Sequence, residues 1–200
     1  MSMSEIILEI LNIDKDQIIT LYGPSHSEEV IKNLPTAMVS ACTNKSNSKI
    51  IQSLFSTENL RIYTSKDIRG VEIGGSLKNV IAIASGICNG IGYGDNANAA
   101  LITRGLHEIT KLGIAMGAKE QTFYGLSGIG DLIATCFGPW SRNRTLGQAV
   151  GQGADPQSII TDQKTVVEGY SSVESLHKIA HSKGLDMPIL KELHAILYLN

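Results

Sequence analysis

The stretch Gly-Val-Glu-Ile-Gly-Gly-Ser-Leu-Lys-Asn-Val-Ile-Ala-Ile-Ala, residues 70–84, opens a long apolar part of the chain. Alanine and isoleucine dominate it and its breaks are glycines, which predicts a helix at roughly 70–90. The same criteria predict further helices at roughly 95–117, 121–136, 141–151 and 170–183. We therefore expect residues 67–200 to form an all-helical domain.

The first third of the chain has a different pattern. Short β-rich runs lie near residues 18–21, 37–41 and 60–64, and they alternate with segments whose apolar residues recur at helical spacing. Strand, helix, strand, helix, strand is typical of half of a parallel α/β sheet. The expected fold class is therefore a partial α/β half-sheet in residues 1–66, followed by the all-α domain in residues 67–200.

The composition argues against several classes of protein. The chain has 200 residues, of which 42% are hydrophobic, and this is enough for a folded core. Its 17 Lys and Arg against 19 Asp and Glu give a net charge of −2, which argues against a nucleic-acid binder held by bulk charge. Aromatic residues make up only 5%, so a base-stacking platform is not expected either. No nucleic-acid partner is predicted.

The sequence also bears on the cellular compartment. Asn89 and Asp95 interrupt the longest apolar run, so no membrane span is expected. The first residues contain no basic region followed by an apolar stretch, as a secretory signal would. Cys42, Cys88 and Cys136 are far apart and odd in number, which favours neither a disulfide framework nor a zinc site. We expect a cytoplasmic protein with no bound metal.

Lys78 is the first candidate for chemistry. It lies between Gly74-Gly75 and the apolar run Val80–Ala84. Partial desolvation there would lower the pKa of the lysine toward the range that suits proton transfer. The alternative is a solvated lysine whose aliphatic stem lies along the helix. This window alone slightly favours the alternative.

A second candidate lies in the glycine-rich segment Gly125–Thr135. Its Gly-x-x-Gly-x-Gly spacing does not match the dinucleotide fingerprint Gly-x-Gly-x-x-Gly, so a nucleotide loop is not predicted. A close approach of two helices at the glycines is the better interpretation, with Asp131 and Thr135 one helical turn apart on one face. A buried Asp131 within reach of Lys78 would hold that lysine in place. An N-cap role for Asp131 is equally good on local evidence.

The run Ser141-Arg142-Asn143-Arg144 opens a predicted helix. A hydroxyl, a guanidinium fork and an amide at a helix start suit an oxyanion or a phosphate group. The N–H groups there point at the anion, and arginine can donate two parallel hydrogen bonds to it. A solvated helix start is an equally good interpretation of this run.

Spacing predicts three further local roles. Ser25 is expected to cap a helix, with Glu28 three residues later as its capping-box partner. Arg104 and Glu108 lie one helical turn apart and are expected to pair. His26 directly follows the Gly-Pro-Ser turn, so it could approach a ligand.

Several motifs follow one another along nearly the whole chain. They are Gly23-Pro24-Ser25, Leu34-Pro35-Thr36-Ala37, Gly70–Val80, Gly94-Asp95-Asn96-Ala97, Leu101–Gly105, Gly125–Leu132, Ser141–Arg144, Val166–Gly169 and Met187-Pro188-Ile189. In this order they resemble the NAD(P)-dependent glycerol-3-phosphate dehydrogenase family. The serine at the start of Ser141–Arg144 makes the chain similar to the bacterial type.

The resemblance implies an oxidoreductase with two domains. Residues 1–66 would be the C-terminal part of a Rossmann domain, and residues 67–200 would be an all-helical substrate domain. The implied reaction interconverts dihydroxyacetone phosphate and sn-glycerol 3-phosphate with NAD or NADP, in the supply of precursors for glycerophospholipids. A homodimer is also expected from the family.

The resemblance further implies the roles of individual residues. Lys78 matches the catalytic lysine, which accepts the proton when glycerol phosphate is oxidised. The positions that match substrate contacts are Gly23, Ser25, Lys78, Asn79, Asp131, Thr135, Ser141, Arg142 and Asn143. The positions that match cofactor contacts are Ser27, Arg142, Val166 and Glu168, with serine at position 27 where alanine is usual.

One departure concerns the start of the sequence. The family begins with a strand and a Gly-x-Gly-x-x-Gly loop for the pyrophosphate, and both lie upstream of the position that matches Met1. An additional lysine that contacts substrate in the family lies there too. We therefore expect this sequence to cover the C-terminal two-thirds of a family member. A chain without that loop could instead be a catalytically inactive module that binds phosphometabolites or a partner.

Overall fold

The computed structural model describes residues 2–162 and 166–199. The first part of the chain is a small sheet with helices: α1 (Met3–Leu11), β1 (Thr20–Tyr22), α2 (Ser27–Val30), β2 (Thr36–Ala41), α3 (Lys45–Phe55) and β3 (Leu60–Ser65). Helices follow: α4 (Ile68–Ile91), α5 (Asp95–Ala115), α6 (Glu120–Phe123), α7 (Asp131–Phe137), α8 (Arg142–Gly151), α9 (Pro156–Asp162), α10 (Glu168–Ser182) and α11 (Pro188–Tyr198). This arrangement confirms the predicted fold class.

The sheet has the strand order β1-β2-β3. β2 and β3 run parallel, with Val39 opposite Tyr63, but β1 runs antiparallel to β2, with Tyr22 opposite Val39. The expectation of a wholly parallel half-sheet is therefore wrong for β1. A parallel crossover needs a dozen or more residues and usually a full helix. The link from β1 to β2 holds only the four-residue helix α2, whereas α3 has 11 residues and makes the crossover to β3.

Asp67 joins the sheet to the helices. Its Oδ1 accepts the N–H of Gly70 at 3.0 Å and so caps α4. Its Oδ2 accepts the N–H of Lys119 at 2.9 Å and the hydroxyl of Thr122 at 2.6 Å. One buried carboxylate therefore ties the start of α4 to α6.

Glycines allow α4 and α8 to pack backbone against backbone. A Cβ at Gly86 would collide with the backbone carbonyl oxygen of Arg144, and a Cβ at Gly147 would collide with that of Ile83. Because glycine carries no side chain, the two helices approach more closely than alanine would permit. Most residues of α4 are buried by this and the neighbouring contacts.

Of the residues that the structure describes, α4 forms the one helix long and apolar enough to cross a membrane. It has 24 residues and a most apolar window with a mean hydropathy of 1.3. The expectation that Asn89 interrupts the longest apolar run is therefore wrong, because Asn89 lies within α4, whereas Asp95 begins the next helix. In the structure 83% of that window is buried inside the protein, as in the central helix of a globular domain.

The helix predicted at 121–136 is interrupted. α6 ends at Phe123, and a π-helical turn, Leu126–Gly130, precedes α7. Gly128 permits this backbone path, since a Cβ there would collide with the backbone of Phe123. The chain folds closely back on itself at this point, which a regular helix does not allow.

The sequence patterns do not indicate α9 and α11. Proline opens both helices, and a proline in the sequence indicates a break as readily as a helix start. The charge of Arg104 acts on Glu108, but the hydrogen bonds of Glu108 go to α11. The buried Glu108 carboxylate accepts the N–H groups of Ile189 at 2.8 Å and Leu190 at 3.2 Å.

The capping box expected at Ser25 and Glu28 does not form. α2 begins at Ser27 with His26 at its N-cap. The hydroxyl of Ser25 donates instead to the carbonyl oxygen of Gly23 at 3.0 Å. Ser25 therefore stabilises the turn that follows β1 rather than the start of a helix.

Candidate active site

A lysine on α4 and an aspartate at the start of α7 form a buried ion pair. Nζ of Lys78 lies 2.6 Å from Oδ2 of Asp131. The side chain of Lys78 is 18% exposed and that of Asp131 is 4% exposed. Of the interpretations that the sequence leaves open, the structure therefore favours a partly desolvated Lys78 and a pairing role for Asp131.

A glycine contact brings the two helices into this arrangement. A Cβ at Gly74 would lie 2.6 Å from the carbonyl oxygen of Ser127, so only glycine lets the π-helical turn approach α4. Asp131 follows that turn directly. One helical turn later, the hydroxyl of Thr135 donates to the backbone carbonyl of Asp131 at 2.6 Å. The predicted common face of Asp131 and Thr135 is therefore placed against the face of α4 that carries Lys78.

The electrostatics of the pair follow from its burial. Burial raises the pKa of Asp131, and the charges of Lys78 and His26 oppose that rise. Because burial is the larger effect, the carboxylate depends on the Lys78 ammonium as its counter-charge. A partly buried ammonium that is held in a fixed position can donate a proton to an oxygen atom beside it.

The turn after β1 packs against α7. Nε2 of His26 lies 3.1 Å from the carbonyl oxygen of Ala134 on α7, and the charge of His26 acts on Asp131 at the start of that helix. Gly23 has a φ of +152°, and a Cβ there would lie 2.9 Å from the carbonyl oxygen of Ala37, so glycine is required. The predicted substrate positions Gly23 and Ser25 are thereby held near the ion pair.

The start of α8 divides into structural and exposed residues. Ser141 is the N-cap, and its Oγ accepts the N–H of Arg144 at 3.2 Å. Asn143 is buried, and its Oδ1 accepts the N–H of Gly169 at 2.9 Å. Arg142 is exposed. Arg142 therefore presents its guanidinium at a helix start that Ser141 and Asn143 stabilise.

The charge of Arg142 acts on the turn after β1. The pKa of the Glu28 carboxyl is lowered, first by a backbone hydrogen bond and then, among smaller causes, by the charge of Arg142. The hydroxyl of Ser27 donates to the same Glu28 carboxylate at 3.1 Å. Two predicted cofactor positions, Ser27 and Arg142, are thereby brought to the same region.

Glu168 opens α10 beside the lysine. The amide of Asn79, the residue after Lys78, donates to Oε2 of Glu168 at 3.3 Å. Glu168 also lines a cavity of about 870 Å³. Val166, two residues earlier, is 74% exposed, and residues 163–165 lie outside the described parts of the chain. The cavity therefore reaches one predicted cofactor position, Glu168, whereas Lys78 and Val166 are not among its lining residues.

Tyr22 lies beside the candidate site, and the sequence patterns did not indicate it. Its ring lines the same cavity, and the ring centroid lies 5.8 Å from Nζ of Lys78. The signal that could have found Tyr22 is its place directly before the Gly23 turn. Within residues 2–162 and 166–199, no group of three His, Cys, Asp or Glu side chains could hold a metal ion.

Two models of one enzyme family match the chain. The NAD-dependent glycerol-3-phosphate dehydrogenase N-terminus matches residues 1–48, and the C-terminus of the same family matches residues 67–200. The NAD(P)+ glycerol-3-phosphate dehydrogenase 1 of Salinibacter ruber is 49% identical over 199 residues, which cover 99% of this chain and 58% of the relative. The corresponding enzyme of Solidesulfovibrio magneticus is 47% identical over 198 residues, which cover 99% of this chain and 60% of the relative.

A solved structure agrees with these matches. The crystal structure of glycerol-3-phosphate dehydrogenase from Coxiella burnetii aligns with a TM-score of 0.87 at 40% identity, over 90% of this chain and 56% of that chain. The fold and the matches define a class of oxidoreductases in which an α/β part is followed by a helical part. The chain belongs to the NAD-dependent glycerol-3-phosphate dehydrogenase family. It spans 58% to 60% of the length of these two curated relatives.

Proposed function

We propose that this chain interconverts dihydroxyacetone phosphate and sn-glycerol 3-phosphate with NAD or NADP. The observation that carries the proposal is the buried Lys78–Asp131 ion pair, at 2.6 Å, in a chain of this family. Residues 1–66 belong to the nucleotide-binding domain in this proposal, and residues 67–200 form the substrate domain.

Lys78 is the proton-transfer residue of the proposed reaction. Bound nicotinamide supplies or accepts the hydride, and the side chains of this chain handle the proton and the charges. The Lys78 ammonium donates a proton to the carbonyl oxygen of dihydroxyacetone phosphate as C2 is reduced, and neutral Lys78 accepts it in the opposite direction. An ammonium has three N–H donors, so its bond to Asp131 is compatible with a second bond to the substrate oxygen.

Arg142 is the proposed phosphate ligand. It is exposed at the start of the ten-residue helix α8, where backbone N–H groups and the helix dipole favour an anion. Its guanidinium can also donate two parallel hydrogen bonds to phosphate oxygens. We assign the remaining substrate contacts to Gly23, Ser25, Asn79, Thr135, Ser141 and Asn143.

The residues near Glu168 fit a nicotinamide nucleotide. The cavity of about 870 Å³ that Glu168 lines is within the usual ~300–1,000 Å³ range of small-molecule and cofactor pockets. The Glu168 carboxylate and the Asn79 amide offer acceptors and donors for the polar groups of such a nucleotide. Ser27, Arg142, Val166 and Glu168 would hold the cofactor in this proposal.

We further propose the setting of this activity. The protein acts in the cytoplasm as a homodimer, and its product glycerol 3-phosphate supplies glycerophospholipid synthesis. Family membership supports these statements.

The experiment measures oxidation of NADH and NADPH when dihydroxyacetone phosphate is added. It compares the 200-residue chain with a fused chain, in which residues 1–200 are joined to the part of the Salinibacter ruber relative that this sequence does not span. Calorimetry measures the binding of glycerol 3-phosphate to both proteins. We expect the fused chain to turn over and both proteins to bind glycerol 3-phosphate.

The two readouts separate the possible failures. Binding without turnover in the fused chain would support a non-catalytic module in place of the enzyme. The absence of both binding and turnover, in a fused chain with normal helical circular dichroism, would overturn the proposed function. Asp131→Asn in the fused chain is expected to reduce turnover, because it removes the counter-charge of Lys78.

A further inference from the structure

The ring of Tyr22 lies over the ammonium of Lys78. The distance from Nζ to the ring centroid is 5.8 Å, within the ~6 Å at which the face of an aromatic ring attracts a cation. Tyr22 is partly buried and is the last residue of β1, whereas Lys78 lies on α4. A residue of the sheet therefore reaches the functional group of the helical part.

Gly75 makes this approach possible. A Cβ at position 75 would collide with Cε1 of the Tyr22 ring and lie 2.7 Å from its Cδ1. The ring therefore rests directly on the backbone of α4. Gly75 and Lys78 are three residues apart and share one face of the helix. The ring covers the face from which Lys78 extends to Asp131.

Acidic groups surround the tyrosine. The pKa of Tyr22 is raised, first by burial and then by the charges of Glu168, Glu72 and Asp131. These groups come from α10, α4 and α7, and the charge of His26 acts on Asp131 from the turn after β1. A raised pKa keeps the phenol protonated at neutral pH, so the ring brings no negative charge of its own to the ammonium.

We propose that Tyr22 is a positioning residue whose ring face holds the Lys78 ammonium against Asp131 and stabilises its charged form. The Lys78 ammonium lies at the end of a flexible four-carbon side chain. Its bond to Asp131 restrains it from one direction only. The ring restrains it from a second direction. This inference rests on the proposed function, because Lys78 is the proton donor there.

The test is a pH titration of Lys78 by NMR in the 200-residue chain labelled with ¹³C-lysine, with Lys78→Arg to assign the signal. Tyr22→Phe keeps the aromatic face, and Tyr22→Leu keeps an apolar side chain without it. We expect Tyr22→Phe to leave the pKa of Lys78 unchanged and Tyr22→Leu to lower it by about half a unit to one unit. Tyr63→Leu, which removes an exposed tyrosine on β3, is the control and should have no effect.

A second series keeps the shape of the ring and changes only its charge distribution. Phenylalanine with one, two or three ring fluorines at position 22 weakens the negative face stepwise, so the pKa of Lys78 should fall stepwise. A pKa that stays constant across this series would overturn the inference, even if Tyr22→Leu fails to fold. So would an equal shift in Tyr22→Phe and Tyr22→Leu.

The outcome of this titration is independent of the outcome of the turnover test of the proposed function. The titration needs no turnover, so a stepwise pKa series supports the role of Tyr22 whether or not the fused chain is active. Conversely, if the fused chain is active and the pKa of Lys78 is constant across the series, the proposed function stands and Tyr22 has no part in it.

Discussion

Gly86 on α4 lies so close to the backbone carbonyl of Arg144 on α8 that no methyl group fits between them. The contact lies one turn before Gly90 on α4, and a Cβ at Gly90 would likewise collide with a carbonyl oxygen of α8, that of Gln148. The two helices are therefore packed through their backbones over more than one turn. Their separation depends on residues that carry no side chain.

Gly86→Ala should lower the free energy of unfolding. Overpacking of a tight contact costs about 1–3 kcal/mol, and the better helix propensity of alanine offsets about 1 kcal/mol of that. Urea unfolding followed by circular dichroism measures the change. Gly130→Ala is the matched control, because Gly130 has a helical backbone and only ordinary van der Waals neighbours. Equal stability of the two variants would contradict the backbone packing.

Lys78→Met should reduce kcat of the fused chain by about 10²–10⁴-fold, the usual range for loss of a general acid–base group. The binding of NADH should change far less. Lys178→Met is the control. Lys178 pairs with a carboxylate, that of Glu174, at the same distance of 2.6 Å, but its side chain is 70% exposed. A Lys78→Met protein with nearly unchanged kcat would remove this residue from proton transfer.

Arg142→Lys should raise the KM for dihydroxyacetone phosphate about tenfold or more, because lysine keeps the charge but loses the bidentate geometry. Inorganic phosphate should also compete less well with the substrate. Arg61→Lys is the control, since the guanidinium of Arg61 lies over the ring of Tyr63 on β3. If the KM stays the same in Arg142→Lys, the phosphate binds elsewhere.

Glu108→Gln should change how stability depends on pH. Burial raises the pKa of Glu108 above its ordinary value of 4.5, although the N–H groups of Ile189 and Leu190 oppose this. A raised pKa in the folded state contributes stability that is present below 4.5 and is lost as the pH rises through the folded-state value. Relative to Glu108→Gln, the wild type should therefore lose stability as the pH rises from about 4 toward neutrality.

Unfolding free energies of both proteins across this pH range measure the difference. Glu174→Gln serves as the control of opposite sign, because pairing with Lys178 lowers the pKa of the Glu174 carboxyl. A flat difference between the wild type and Glu108→Gln would contradict the raised pKa.

Local spacing offered the central pair of the site as one of two interpretations but did not decide between them. Asp131 and Thr135 share a helix face by their separation alone, and the surrounding glycines indicate a close helix contact. The structure places that face against Lys78. Motif order along the chain predicted the family, which the matched models confirm. The individual roles of the other site residues remain predictions.

Other features depend on contacts that spacing does not contain. The hydrogen-bond donors to Glu108 lie 81 and 82 residues further along the chain, whereas the near neighbour Arg104 acts on it through its charge. The direction of β1 depends on whether the link to β2 contains a helix long enough to cross the sheet, and α2 has only four residues. The place of Tyr22 depends on Gly75, which belongs to a different element. The contacts of Glu108 and of Tyr22 are made between elements that are far apart in the sequence, and do not follow from the local sequence pattern.

The carboxylate of Asp67 has a consequence for motion. It receives three donors at the only covalent link between β3 and α4: the N–H groups of Gly70 and Lys119 and the hydroxyl of Thr122. All three donors belong to the helical part, so any change in the direction of α4 relative to α6 would have to break a buried, charge-assisted network. The corner between α4 and α6 therefore acts as one rigid unit, and the chain leaves β3 onto a helix whose direction is already fixed.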